Sequence, residues 1–95
     1  MVFKTREIAS ALNRKGFKLN KTRDSHHDYY FLYKADGEKT NISTHLSRGH
    51  HDIDDYLINK MSKQIGIKSE EFSEFVKCNI SHEELLDILN DNNRL

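Results

Sequence analysis

Two adjacent histidines, His26 and His27, stand at the entrance to the most aromatic stretch of the chain, just after Arg23 and Ser25. An imidazole with a pKa near neutrality can accept or donate a proton without a metal ion. RNA carries its own nucleophile, the 2′-hydroxyl group, so cleaving it requires a base, an acid and a cation near the phosphate. The residues therefore predict chemistry on a phosphodiester bond, with the histidines as catalytic candidates and Ser25 in support.

Residues 27–34 predict a β-strand, in which alternate side chains point to opposite faces. One face carries His27, Tyr29, Phe31 and Tyr33, and the other carries His26, Asp28, Tyr30 and Leu32. Because only one of the two faces can meet a substrate, we expect one of the two histidines to be catalytic. The tyrosines are candidates for stacking on bases, and the alternative is packing within the sheet.

Several basic residues precede or flank this strand: Lys15, Lys18, Lys21 and Arg23. Each is a candidate for a phosphate contact, which would be independent of base sequence and would weaken as salt is raised. The alternative for each of them is an ordinary solvated side chain.

A second group of histidines, His45, His50 and His51, could be interpreted as zinc ligands. No well-placed carboxylate completes a ligand set, and Cys78 is the single cysteine of the chain. We therefore expect no metal site and no cofactor. The single cysteine also excludes an internal disulfide bond.

The composition is that of a small soluble protein with a thin core. Of the 95 residues, 36% are hydrophobic and 32% are charged. No apolar run approaches the length of a membrane span, and no signal peptide precedes the first charged residues, so we expect a cytoplasmic location.

The net charge of zero conceals an asymmetry along the chain. Residues 1–66 hold 12 Lys and Arg against 8 Asp and Glu, a balance of +4, whereas residues 67–95 hold 3 against 7, a balance of −4. The first part could attract a polyanion. The acidic part could fold over it as a brake or complete a dimer; the alternative is that it thickens the core.

The spacing of apolar and turn-forming residues predicts the order α-β-β-β-α. A helix over residues 5–15 begins at Thr5 as N-cap and is ended by Gly16. Strands over residues 17–21, 27–34 and 39–44 follow. Phe17 and Leu19 of the first strand are expected to face inwards, and the last two strands are joined by a type I′ turn at Asp36-Gly37. A helix over residues 52–65 is ended by Gly66 and has its apolar positions at Ile53, Tyr56, Leu57, Met61 and Ile65.

Two short helices are predicted after residue 67. Phe72, Phe75 and Val76 are the apolar positions of the first, and Ser81-His-Glu-Glu84 is a capping box for the second. We expect an α+β fold with a domain over residues 1–67 and a helical extension over residues 68–95 on the same unit.

In this order of elements the chain resembles the HicA-like mRNA interferases, also called the YcfA family. The similar features run over about residues 5–67: Lys15-Gly16-Phe17 after the first helix, Ser25-His26-His27 entering the aromatic strand, Asp36-Gly-Glu-Lys-Thr40 before the third strand, and Lys63 to Ile67 at the end of the last helix.

The resemblance implies a fold like that of double-stranded-RNA-binding domains and a toxin that cleaves messenger RNA. It assigns catalysis to the histidine after Ser25, which is His26, and leaves His27 in reserve. It also places Lys39 and Arg48 where they could contact RNA. The implied protein partner is a neutralising antitoxin of the HicB-like type.

Two alternatives stay open. The first is a non-catalytic module that binds RNA or DNA, which is favoured by Asp24 at the place where the family has glycine. The second is an adaptor that forms a homodimer through the apolar side of the last helix. That side carries Leu85, Leu86, Ile88 and Leu89.

Overall fold

The computed structural model describes residues 2–20, 27–47 and 52–95. Its elements follow in the order β1 (Phe3–Lys4), α1 (Thr5–Arg14), β2 (Phe17–Asn20), β3 (His27–Tyr33), β4 (Lys39–Ser47), β5 (Asp52–Ile53), α2 (Asp55–Ile65), α3 (Ser69–Val76) and α4 (His82–Asp91). The described part of the chain is therefore an α+β fold in which a three-stranded sheet follows α1 and three further helices follow the sheet.

The main sheet is antiparallel in the order β2-β3-β4, with β3 in the centre. Phe17 lies opposite Leu32 on one side of β3, and His27 lies opposite Ser47 on the other. The predicted meander of three strands is confirmed. So is the alternation along β3, because Tyr30 and Leu32 are buried whereas Tyr29, Phe31 and Tyr33 are half-buried.

Two boundaries were predicted wrongly around the third strand. β4 runs to Ser47 rather than to residue 44, so His45 belongs to a strand and not to a loop. Asp52 and Ile53 form β5, which pairs with β1 through Lys4 and Phe3. The second helix consequently begins at Asp55, capped by Asp54, whose Oδ1 accepts from Leu57 N at 3.0 Å.

The turn between β3 and β4 is not the predicted type I′ turn. Gly37 N donates to Lys34 O at 2.9 Å, and Lys34 N donates to Glu38 O at 2.8 Å, which closes a loop of residues 35–37. Gly37 has φ +92°, whereas a type I′ turn would also need a positive φ at Asp36. The Asp36 carboxylate accepts from Glu38 N at 2.9 Å, which holds the turn in this form.

The N-cap of the first helix lies one residue earlier than predicted. Lys4 is the N-cap, and Thr5 is the first helical residue. Glu7 Oε1 accepts from Lys4 N at 3.1 Å, so the acidic residue of the first turn binds the cap backbone. The predicted capping box of α4 is confirmed, with Glu84 N donating to Ser81 Oγ at 3.1 Å and Ser81 N donating to Glu84 Oε1 at 3.3 Å.

One hydrophobic cluster joins the inner face of the sheet to the helices. The sheet contributes Phe17, Tyr30, Leu32, Ile42 and Leu46, and α1 and α2 contribute Ile8, Ala11, Leu12, Ile58, Met61 and Ile65. Two residues predicted to face inwards are partly or largely exposed. Leu19 lies on the edge strand β2 and is 39% exposed, and Tyr56 is 73% exposed because Ile58 takes the inward position on α2.

The C-terminal segment completes the same cluster. Phe72, Phe75, Leu85 and Leu89 are buried in it, and α3 packs against α1 and α2. The cluster thus runs across the predicted division between residues 1–67 and 68–95, as the core-thickening interpretation expects. Leu85 and Leu89 face this core and Leu86 and Ile88 are partly buried, so this apolar side of α4 is not the open surface that the adaptor interpretation requires.

None of the helices in the described ranges has the length and apolar character needed to cross a bilayer.

Candidate nucleic-acid interface

The outer side of the sheet carries a row of aromatic rings along its central strand. Tyr29, Phe31 and Tyr33 alternate with the buried Tyr30 and Leu32, so their rings all leave β3 on the side opposite the core. We call this side the aromatic face and define it by the side chains that share it through the strand register: Lys18, Tyr29, Phe31, Tyr33, Lys39, Ser43 and His45.

A lysine from each neighbouring strand lies over this row of rings. Lys18 of β2 places its Nζ 4.6 Å from the centre of the Tyr33 ring. Lys39 of β4 places its Nζ 4.2 Å from the centre of the Phe31 ring. Both distances are within the range of a cation–π interaction. The aromatic face therefore has two ammonium groups over its rings, one from each neighbouring strand.

The position of Lys39 depends on a bulge in β4. Phe31 pairs with Ser43 and Tyr33 pairs with Lys39, so residues 40–42 of β4 lie opposite Leu32 alone. Thr40 holds the bulge together, because its Oγ1 donates to Leu32 O at 2.7 Å and accepts from Ile42 N at 3.1 Å. The extra residues bring Lys39 back into register beside Tyr33, with its ammonium over Phe31.

His45 extends the aromatic face onto β4. It lies opposite Tyr29, and the two ring centres are 5.3 Å apart with the planes tilted by 45°. Gln64 of α2 reaches this edge: its Oε1 accepts from Thr44 Oγ1 at 2.8 Å, and its Nε2 lies 3.4 Å from His45 Nδ1. Because an amide nitrogen only donates, His45 Nδ1 is the acceptor in this contact.

The charge of the aromatic face is positive. Its described side chains include Lys18 and Lys39, and none of them is acidic. The acidic Glu38 is in the adjoining turn, where its carboxylate lies 3.8 Å from Lys34 Nζ. A surface that combines flat rings with two cations can bind a ligand that combines planar groups with negative charge.

Lys15, another predicted phosphate contact, is placed elsewhere. Its Nζ donates to Phe75 O and, at 3.0 Å, to Ile80 O, and it lies 4.7 Å from the centre of the Phe75 ring. These carbonyls are at and after the end of α3, where a helix favours a positive charge. Lys15 therefore joins α1 to the C-terminal helices and is not part of the aromatic face.

Tyr30 is also removed from the candidate interface. It points into the core, where burial and the nearby negative charge of Asp28 raise the pKa of its phenol, partly opposed by a hydrogen bond with Asn13. Of the three tyrosines predicted as stacking candidates, Tyr29 and Tyr33 are on the aromatic face.

The predicted catalytic residues Ser25 and His26 lie outside the described residues, as do Lys21, Arg23, Arg48, His50 and His51. For His27 the backbone is described, and it pairs with Ser47. Since the sheet is antiparallel, β2 ends, β3 begins and β4 ends at the same end of the sheet. At this end the described strands stop at Asn20 and Ser47 and β3 starts at His27.

Within the described ranges, no group of three or more His, Cys, Asp or Glu side chains could hold a metal ion. Comparison with known proteins gives no match, whether to a family model, to a curated protein or to a solved structure. The interpretation of the site therefore depends on its own geometry.

Sequence reasoning missed two contributions to the aromatic face. His45 was assigned to a loop because strand propensity weakens after Thr44, although His45 continues the alternation of Ile42 and Thr44. The place of Lys39 over Phe31 follows from the bulge, which depends on one threonine hydroxyl. The alternation in residues 39–47 could have placed His45 in the strand. Nothing in the local pattern indicated that Lys39 would lie over Phe31.

Proposed function

We propose that this protein is a HicA-like toxin, a metal-independent endoribonuclease that cleaves messenger RNA and is built on a core like that of double-stranded-RNA-binding domains. The order of one helix, three antiparallel strands and a further helix supports the proposal. The observation that carries it is the aromatic face, whose rings lie on β3, the strand that begins at His27, with lysines from β2 and β4 over them.

In the proposed reaction one histidine removes the proton from the 2′-hydroxyl, whose oxygen attacks the adjacent phosphorus. The bond from phosphorus to the 5′-oxygen breaks, and that oxygen takes a proton back from the protonated histidine, which leaves a 2′,3′-cyclic phosphate and a free 5′-hydroxyl. His26 is the proposed catalytic residue, with His27 in reserve and Ser25 in support. Cations near the phosphate stabilise its developing charge, and Lys21, Arg23 and Arg48 are the proposed sources.

The proposed partners follow from this role. Messenger RNA is the substrate, which implies action in the cytoplasm. A HicB-like antitoxin would neutralise the toxin by covering His26 and the basic residues around it. Growth arrest on induced expression, relieved by His26→Ala, is the expected cellular effect. A His26→Ala variant that kept full RNA cleavage and full growth inhibition would contradict the catalytic assignment.

A second candidate function is a non-catalytic module that binds RNA or DNA. Asp24 favours it, because a carboxylate beside the histidine pair would repel a phosphate. The aromatic face supports this function as well as the first. The two are distinguished by an RNA in which one nucleotide carries 2′-O-methyl: the nuclease would spare the bond after that nucleotide and cut elsewhere, whereas the module would bind the RNA and cut nowhere.

A further inference from the structure

We infer that the aromatic face is a stacking platform for single-stranded RNA, on which unpaired bases lie against Tyr29, Phe31 and Tyr33 while Lys18 and Lys39 hold the backbone. This inference rests on the proposed function in one respect, since it takes RNA as the ligand. It adds the form of RNA that is bound and the residues that bind it.

The spacing of the rings fits successive bases of an extended strand. Tyr29, Phe31 and Tyr33 alternate along one side of β3, so neighbouring rings are about 6.8 Å apart along the strand. All three are half-buried, which fixes their positions in the sheet while leaving part of each ring accessible. Aromatic side chains held on a sheet in this way stack on bases of any sequence, because every base has a π face.

The lysines complement the phosphates of such a strand. Lys18 approaches the row of rings from β2 and Lys39 approaches it from β4. Each side chain is long and largely exposed, so its ammonium can leave the ring when a base takes its place and can then bind a phosphate at the edge of the row. With no carboxylate among the described side chains of the face, the charge selects a polyanion over an acidic or apolar protein surface.

A stacking platform selects single strands over duplexes. In a duplex the faces of the bases are covered by their neighbours, and an A-form helix offers a protein its grooves and phosphates. The rings of β3 can therefore contribute to binding when bases are unpaired. Binding by the opposite, helical side of the domain would give the reverse preference.

The test measures the affinity for a short fluorescent 2′-O-methyl RNA of mixed sequence, as a single strand and as a duplex, by fluorescence anisotropy. The methyl group blocks the attacking 2′-oxygen, so binding is measured without cleavage. We expect the single strand to bind more tightly than the duplex. Phe31→Leu, which keeps an apolar side chain in the sheet, is expected to weaken single-strand binding by about 5- to 150-fold.

A control at a distant tyrosine keeps the result specific. Tyr56→Leu removes an aromatic side chain that is 73% exposed on α2, away from the aromatic face, and is expected to leave the affinity unchanged. Urea unfolding of each variant checks that the fold is retained. Lys39→Met tests the same surface in a second way, because it removes an ammonium group and leaves every ring in place.

Equal affinity of parent and Phe31→Leu for the single strand, or equal affinity of the parent for single strand and duplex, would overturn the inference. Results that contradict the proposed nuclease can be distinguished from results that contradict the stacking platform. Tight, ring-dependent binding of the 2′-O-methyl strand without cleavage of ordinary RNA would keep the inference and remove the nuclease. Cleavage of ordinary RNA that is unaffected by Phe31→Leu would keep the nuclease and remove the inference.

Discussion

The imidazole of His82 donates a hydrogen bond from Nε2 to the carbonyl oxygen of Tyr33, at 2.7 Å. The same ring covers Gly16, so a Cβ atom at Gly16 would lie 2.2 Å from His82 Nε2. Tyr33 N in turn donates to Gly16 O at 2.8 Å. The last helix, the end of the central strand and the start of β2 are thus joined at one point, which ties the C-terminal segment to the strand that carries the aromatic face.

Replacement of Gly16 by alanine is therefore expected to be costly. Gly16 has φ +91°, which disfavours any L side chain by about 1–2 kcal/mol, and the new methyl group would displace His82 from its hydrogen bond, for about 1 kcal/mol more. Gly37→Ala is the matched control, since Gly37 has φ +92° but no atom within 4 Å of an added Cβ. Urea unfolding should show a larger decrease in the free energy of unfolding for Gly16→Ala than for Gly37→Ala. Equal decreases would contradict the contact between Gly16 and His82.

Lys15 and Lys18 are expected to differ in what their loss affects. Lys15 donates to two backbone carbonyls in a partly buried site, so Lys15→Met should lower the free energy of unfolding by about 1–3 kcal/mol. Lys18→Met should leave stability nearly unchanged and weaken RNA binding, with a smaller dependence of affinity on salt. Unfolding and salt-titrated binding of both variants provide the measurement. Loss of RNA binding in a stable Lys15→Met protein would contradict this division.

The Thr40 hydroxyl is expected to control the aromatic face from inside the bulge. Thr40→Val keeps the shape of the side chain but removes the hydroxyl that bonds Leu32 O and Ile42 N. The free energy of unfolding should fall by about 1–3 kcal/mol. Lys39 should then move from its place over Phe31, and RNA binding should weaken. Thr40→Ser retains the hydroxyl and should restore both properties; if serine and valine behave alike, the hydroxyl does not hold the bulge.

Tyr30 is expected to make the fold sensitive to alkaline pH. Its pKa is raised in the folded protein by burial and by Asp28, so folding favours the neutral phenol. The neutral phenol of Tyr30 therefore contributes fully to the free energy of unfolding below the ordinary tyrosine pKa of 10.0. This contribution is lost as the pH rises through the higher pKa that Tyr30 has in the folded protein. Tyr30→Phe should be less stable at neutral pH by about 0.5–1.5 kcal/mol, because the hydrogen bond with Asn13 is lost.

The test measures the free energy of unfolding of the parent and of Tyr30→Phe at neutral pH and at about pH 11. The decrease between the two pH values should be smaller for Tyr30→Phe than for the parent. Tyr56→Phe is the control, since Tyr56 is an exposed tyrosine on α2. An identical alkaline loss in the parent and in Tyr30→Phe would show that other groups are responsible.

Local patterns were sufficient to predict the central part of the fold. The alternation of residues 27–33 predicted which side chains face the core, and the glycines at positions 16 and 66 and the capping box at Ser81 predicted helix boundaries to within a residue. These signals are local, since each depends on residues within one strand or one turn of helix.

Several of the errors share a physical cause, which is contact between residues that are distant in the chain. β5 exists because Phe3 pairs with Ile53, and α2 consequently begins at Asp55 rather than at residue 52. Lys15 found its carbonyl partners 60 and 65 residues further along. The histidine pair was recognised from sequence, but His26 lies outside the described residues, so its role stays a prediction.

The most direct test of the proposed function is incubation of purified protein with a long single-stranded RNA in EDTA, beside His26→Ala and His27→Ala. We predict that the parent cuts the RNA, that His26→Ala abolishes cutting, and that His27→Ala retains it. An RNA that is bound by the parent but not cut, or that is cut equally by all three proteins, would contradict the proposal that this chain is a histidine-dependent ribonuclease.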